Sequence, residues 1–339
     1  MISSSRFMTV MAFCITTMCF AAVAEARPRT SVKNDLNRFE NPREDTKTFL
    51  ALPYVLSTES MGFTAGAGGF AKGYGQEQLI VGATAFASVD EAVGLFLGMW
   101  DYRPSFAERF FFGAQGMIGH YPRQRGYASV FFDADIPRPG SNDSDKDQFE
   151  EESGYDNWAD FRFEYVLPIG SGRKDALQHY KIKNGLPVSD PVGGDTWNPL
   201  KGGVTNVMLR QFNRYRTFEF EDGEIAGAIH PFELGIAYYN TDWPTNPSVG
   251  SSQYISITQD FGWWESPDTW TFIEFEASKY FSVGESNWAH QRTVALNFWT
   301  GHSPSWNEET LPDGRIDVTN RPPFYEGATL GGFYRMRGY

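Results

Sequence analysis

Cysteine is almost missing from this chain. Its 339 residues include two, Cys14 and Cys19, both near the N-terminus, so nothing further along can form a disulfide or a reactive thiol. Long apolar runs are scarce as well. Only Phe7 to Val23 approaches the roughly 20 residues a membrane-spanning helix needs, which excludes a helical membrane protein. Basic side chains are outnumbered, 29 Lys and Arg against 42 Asp and Glu, for a net charge of −13. That balance excludes a nucleic-acid binder working through clustered cations. The five histidines, His120, His179, His230, His290 and His302, are scattered, and none sits in a His-Glu-x-x-His pattern. The chain is instead rich in glycine, with 34 residues, and in aromatic rings, at 16% of the sequence. Rings at that density argue against disorder. They coexist with a mean hydropathy of −0.41. An outer-membrane β-barrel reconciles the two, because alternating apolar and polar residues hide the lipid face in the average.

The apolar run reads as a signal peptide over residues 1–26. Arg6 precedes it, and Ala24-Glu25-Ala26 supplies the small-x-small cleavage pattern. Residues 27–47 are polar, contain Pro28 and Pro42, and read as a short periplasmic leader. Residues 48–339 read as the barrel domain, with 300–339 as a long external loop.

Segments of about 10 residues alternate apolar and polar, separated by Gly, Pro, Asn, Asp and Ser clusters. In Ala159–Ile169, Phe161, Phe163, Tyr165 and Leu167 share one face, while Asp160, Arg162 and Glu164 share the other. In Thr271–Phe281, Ile273, Phe275 and Ala277 oppose Glu274, Glu276 and Ser278, and in Gln291–Trp299, Val294, Leu296 and Phe298 oppose Thr293, Ala295 and Asn297. Phe232–Asn240 and Tyr254–Phe261 alternate in the same way. Further strands are expected at Gly62–Tyr74, Gln78–Ser88, Val93–Tyr102, Arg109–Gly119, Arg125–Asp133 and Thr205–Phe220, about eleven in all, with Phe49–Ser57 left as a first strand or a rim segment. Charges in mid-strand suit a wet lumen, so Asp160, Arg162, Glu164, Glu274 and Glu276 are expected to be luminal. Trp100, Tyr102, Trp158, Trp263, Trp264, Trp270 and Trp299 near strand ends match aromatic girdles on the lipid face. The acidic stretch Ala134–Asn157 is expected outside the cell. Counting strands puts residues 171–203 on the periplasmic side, where their length has no explanation beyond an insertion.

Catalytic and metal motifs are not evident. Gly62 to Gly66 lacks the serine of a nucleophile elbow, and Gly170-Ser171-Gly172-Arg173-Lys174 lacks phosphate-loop spacing. Asp143, Asp145 and Asp147 open like a calcium loop, but Gln148 and Gly154 stand where Gly and Glu are needed. Asp160 and Glu164 lie about 13 Å apart by strand rise, too far for paired glycosidase carboxylates. No cofactor or metal is expected, and no enzymatic activity.

The run Arg321-Pro322-Pro323-Phe324-Tyr325-Glu326-Gly327-Ala328-Thr329-Leu330-Gly331-Gly332-Phe333-Tyr334-Arg335-Met336-Arg337-Gly338-Tyr339 resembles the bacterial surface antigen family of outer-membrane barrels, the BamA/TamA type. Gly331, Gly332 and the Met336-Arg337-Gly338-Tyr339 motif carry the resemblance, together with the strand order from Phe232. The resemblance implies a long external loop folded back into the lumen, with Arg337, Gly338 and Tyr339 holding it there. It also implies sixteen strands and periplasmic tandem (POTRA) domains. Here about eleven strands are expected and no such domains, so the chain reads as a POTRA-less, C-terminally truncated relative. The alternative is a complete twelve-stranded barrel ending on Ala328–Tyr339. By resemblance the role is insertion or translocation in the outer membrane of a Gram-negative bacterium, with outer-membrane lipid and unfolded or exported protein or lipid as partners. The alternative is a passive channel for small solutes.

Overall fold

The computed structural model describes residues 32–38, 47–126, 131–133, 145, 149–183, 186–194, 196–220, 223–289, 291–323 and 326. They are nearly all strand: β1 (Asn34–Arg38), β2 (Thr48–Thr58), β3 (Gly62–Lys72), β4 (Ile80–Ser88), β5 (Val93–Tyr102), β6 (Phe110–Gly126), β7 (Phe131–Asp133), β8 (Glu150–Val166) and β9 (Gln178–Lys183). Then follow β10 (Leu186–Pro187), β11 (Val204–Phe220), β12 (Gly223–Ile229), β13 (Phe232–Thr241), β14 (Gly250–Phe261), β15 (Thr269–Ser282), β16 (Thr293–His302), β17 (Asn307–Thr310) and β18 (Arg315–Thr319). A single 3-10 turn covers Gly170–Arg173, and no helix among the described residues is long and apolar enough to cross a membrane.

The fold is all-β. Strands β2, β3, β4, β5, β6, β8, β11, β13, β14, β15 and β16 pair in that order, each antiparallel to the next, and β12 pairs with the far half of β11. Among the described residues the sheet is open, with β2 and β16 at its edges. Its outer face exposes Phe161, Phe163, Tyr165, Ile273, Phe275, Val294, Leu296 and Phe298. Its inner face buries Asp160, Glu164, Glu274 and Glu276. This is period-two alternation with the polar side turned inward.

Several expectations need correction. Among the described residues, Arg125–Asp133 is not one strand of the main sheet. Arg125 and Gly126 end the long β6, while β7 pairs with β18 in a small separate sheet with β17. Pro122 lies within β6, where a register shift between Tyr121 and Gln124 absorbs it, as bulges do. The first strand is β2, so eleven strands remain on the path, but the connections before β6 change ends. Residues 73–79 and 103–109 lie at the same end as 167–203, which we name the insertion end. The opposite, acidic-loop end receives 89–92 and the β6–β8 connection. Trp100, Trp158, Trp270 and Trp299 are not on the outer face. They share parity with the inner residues, where Trp100 donates to Gln115 at 3.1 Å and Trp299 to Glu274 at 2.7 Å. An indole N–H finds a partner on the polar face that hydrocarbon cannot supply. Tyr102, Trp263 and Trp264 are exposed.

The inner face changes character across the sheet. Over β3 to β6 it buries Met61, Phe86, Ala92, Phe96, Met117 and Tyr121 as one apolar cluster. From β8 onward buried charges join it, between smaller apolar clusters around Met208 and Tyr254 and around Phe212, Trp270 and Phe272. The 167–203 insertion carries β9 and β10, and β1, within the 27–47 stretch, adds to β9 in parallel over five residue pairs. At the acidic-loop end Gly154 lets β8 and β11 approach closely, since a Cβ there would collide with the Thr217 carbonyl oxygen. Gly154→Ala is therefore expected to cost about 1–3 kcal/mol by overpacking, read as a lowered urea midpoint. Gly227→Ala, where a Cβ meets nothing within 4 Å, should leave the midpoint within error.

Candidate functional site: a charged network on the inner face

Even-numbered residues of β8 and β11 face inward. The register sets Arg162 directly opposite Arg210, and like charges so placed are destabilising on their own. Asp160 resolves the conflict, accepting from Arg210 Nε at 2.9 Å and Arg162 Nε at 3.3 Å. Arg210 Nη1 also donates to Glu233 at 3.1 Å, and the Tyr254 hydroxyl donates to the other Glu233 oxygen at 2.6 Å. Arg210 is 4% exposed, and its guanidinium lies 4.5 Å from the Phe212 ring centroid. A planar donor fork that stays charged suits a buried site between two carboxylates.

The network extends toward both ends. On the acidic-loop side, Arg214 donates to both Asp156 oxygens at 2.8 and 2.5 Å, and Arg216 Nε donates to Gln124 Oε1 at 3.1 Å. Glu326, beyond β18, is buried here with a carboxylate oxygen 3.7 Å from Arg214. On the insertion side, Lys33 is buried and its Nζ donates to Asp101 at 2.6 Å and Glu164 at 2.9 Å. Val32 beside it packs into a cluster with Phe111, Val166, Ala176 and Val204. On β15, Glu276 accepts from Asn297 at 2.7 Å.

The structure thus brings Asp160 and Arg162 together. Glu164 joins Lys33, and Glu274 and Glu276 engage β16 side chains. Gly331, Gly332, Arg337, Gly338 and Tyr339 lie outside the described residues. So does Ala328–Tyr339, the alternative twelfth strand. Sequence reasoning missed Arg210, Arg214, Arg216, Glu233 and Tyr254, although extending the alternation through Thr205–Phe220 would have placed the three arginines on one face. Lys33 and Glu326 carry no local signal, because each reaches the network from outside the meander. Among the described residues, no group of three His, Cys, Asp or Glu is arranged to hold a metal ion.

Removing one member of a buried pair leaves the other charge uncompensated. Arg210→Ala is expected to cost about 3–5 kcal/mol, measured by urea unfolding, because it strands Asp160 and Glu233 together. For Lys33, burial opposes the charge, but Asp101 and Glu164 outweigh it and raise the ammonium pKa above its usual 10.5. A raised pKa contributes stability that is fully present below the unfolded-state value and lost as pH climbs through the folded one. The stability difference between the native chain and Lys33→Met should therefore be flat below about pH 10 and shrink above it, as seen in unfolding midpoints across pH 7–12.

No protein-family model matches the sequence, and no curated protein matches it. Among solved structures the chain is similar to BamA from Haemophilus ducreyi lacking POTRA domains 1–3, with 12% sequence identity and a TM-score of 0.37. The similarity covers 77% of this chain and 41% of that one, so this chain spans about two fifths of its length.

Proposed function

We propose that the chain is a non-catalytic outer-membrane β-barrel segment that works in inserting or translocating protein or lipid. One observation carries the membrane reading. From β8 to β16 large apolar side chains stand exposed on one face, while ion pairs are buried on the other. A soluble sheet would do the reverse, because apolar surface gains most by leaving water. Lipid is the solvent in which this arrangement is stable.

The finer role is supported by the tail's resemblance to the surface antigen family and by the content of the inner face. Lys33 at one end and Glu326 at the other place the chain's own segments where an open channel would need water. We therefore favour an insertion or translocation barrel over a passive channel.

Phe275 lies mid-strand on the outer face. Phe275→Arg should cost about 2–4 kcal/mol at the bilayer midplane. The loss should appear as disappearance of the folded, heat-modifiable gel band from the outer-membrane fraction. A native chain recovered in the aqueous fraction would overturn the membrane reading. In planar bilayers the native chain should give small, irregular currents, and a wide steady conductance would favour the passive channel instead.

A further inference from the structure

On the outer face of β13 to β16, paired residues form level rows. Asn240, Ser251, Lys279 and Leu296 make one row, and Tyr238, Gln253, Ala277 and Phe298 the next. Lys279 is the single Lys, Arg, Asp or Glu on the outward positions of these four strands. Among the described residues it has no acidic partner. Its ammonium stands 5.2 Å from the Trp197 ring centroid and 5.5 Å from that of Phe281.

Trp197 belongs to the insertion, which folds over the outside of this rim. Gly194 N–H donates to Asn240 Oδ1 at 3.0 Å, Asn240 Nδ2 donates to the Thr196 carbonyl, and Tyr238 donates to the Gly202 carbonyl at 3.1 Å. Asn240 and Ser251, on the outward row, are buried beneath it. Trp197 and Leu200 are left 69% and 59% exposed.

The position of this collar along the strands is informative. Ser251 shares the Lys279 row, and Phe261 marks the other end of β14, ten residues on. At Phe261 a second aromatic group is exposed, with Trp263 stacked on it at 4.7 Å and Trp264 beyond. Ten residues span about 34 Å of strand, or about 26 Å along the membrane normal at a tilt of about 40°, against an apolar band of about 25 Å. The two groups therefore sit at opposite boundaries of the band, and on the outward positions of β13 to β16 the one lysine or arginine, Lys279, lies at the insertion end.

We propose that residues 196–203 form a collar in the headgroup zone at the insertion end, where Lys279, held between Trp197 and Phe281, binds the phosphate of an anionic membrane phospholipid. The proposal rests on the membrane reading above. A lysine at the edge of the band extends its stem along apolar surface and its charge toward the headgroups. Flanking rings fix the ammonium without neutralising it. Leu200 and Trp197 add apolar and amphipathic surface at the level where tryptophan partitions.

The test uses the full chain reconstituted into phosphatidylcholine vesicles containing brominated phosphatidylglycerol or, as the reference, brominated phosphatidylcholine. Trp197 emission is isolated as the difference between the native chain and Trp197→Phe. Quenching should show phosphatidylglycerol bound about fivefold more tightly than phosphatidylcholine, the contribution of about one basic residue at an anionic surface. Lys279→Gln should bring the ratio to about one, and Lys279→Arg should keep most of it. Equal quenching by the two lipids in the native chain, or a preference that survives Lys279→Gln, would overturn the site. If the other tryptophans are quenched while Trp197 shows no preference, the site fails and the membrane reading stands. Quenching of no tryptophan removes both.

Discussion

Arg210 sits almost fully buried between Asp160 and Glu233, and the rest of the sheet is arranged around the cost of putting it there. Taking a guanidinium and two carboxylates out of water is repaid only when geometry is good and the remaining lone pairs are met. Here Tyr254 fills one remaining Glu233 position, and Arg162 shares Asp160. The cluster joins β8, β11, β13 and β14, so it fixes the register of four neighbouring strands at once. A slip of one residue would turn Phe161, Leu234 and Ile255 inward and the charges outward, because strand side chains alternate with a period of two.

That constraint also explains why the two faces differ in uniformity. The outer face needs only apolar character, and Val, Leu, Ile and Phe recur along it with little pairing specificity. The inner face is specific position by position: apolar and aromatic over β3 to β6, and over β8 to β15 buried charges interleaved with the clusters of Met208, Ala237 and Tyr254 and of Phe212, Trp270 and Phe272. Trp158 stands at the junction, with its ring near Phe96 on one side and Phe212 on the other. Its ring therefore joins the apolar cluster of β3 to β6 to the one around Phe212, Trp270 and Phe272.

The strands most legible in the sequence were those with charges on the inner face, since Asp160 to Glu164 and Glu274 to Glu276 make the alternation visible. β2 was obscure for the opposite reason. Leu50, Leu52, Tyr54 and Leu56 alternate with Phe49, Ala51, Pro53 and Val55, so both faces look apolar and no period shows. Tyr54 and Leu56 pack on the inner apolar cluster, which is why that side need not be polar. The inward tryptophans were misplaced because ring type was given more weight than parity, and parity is the stricter constraint. Lys33 and Glu326 could not be found locally, since their partners lie 131 and about 110 residues away along the chain.

These non-local contacts give the two ends of the inner face their character. At the insertion end, β1 completes a small parallel ladder with β9 and delivers Val32 and Lys33 into the sheet, so the N-terminal segment is held by backbone pairing as well as charge. At the acidic-loop end, Glu326 comes within 3.7 Å of Arg214. The first contact is therefore cooperative with the folding of that ladder. A backbone ladder opens as a unit, so Val32 and Lys33 keep their places on the inner face as long as β1 stays paired with β9.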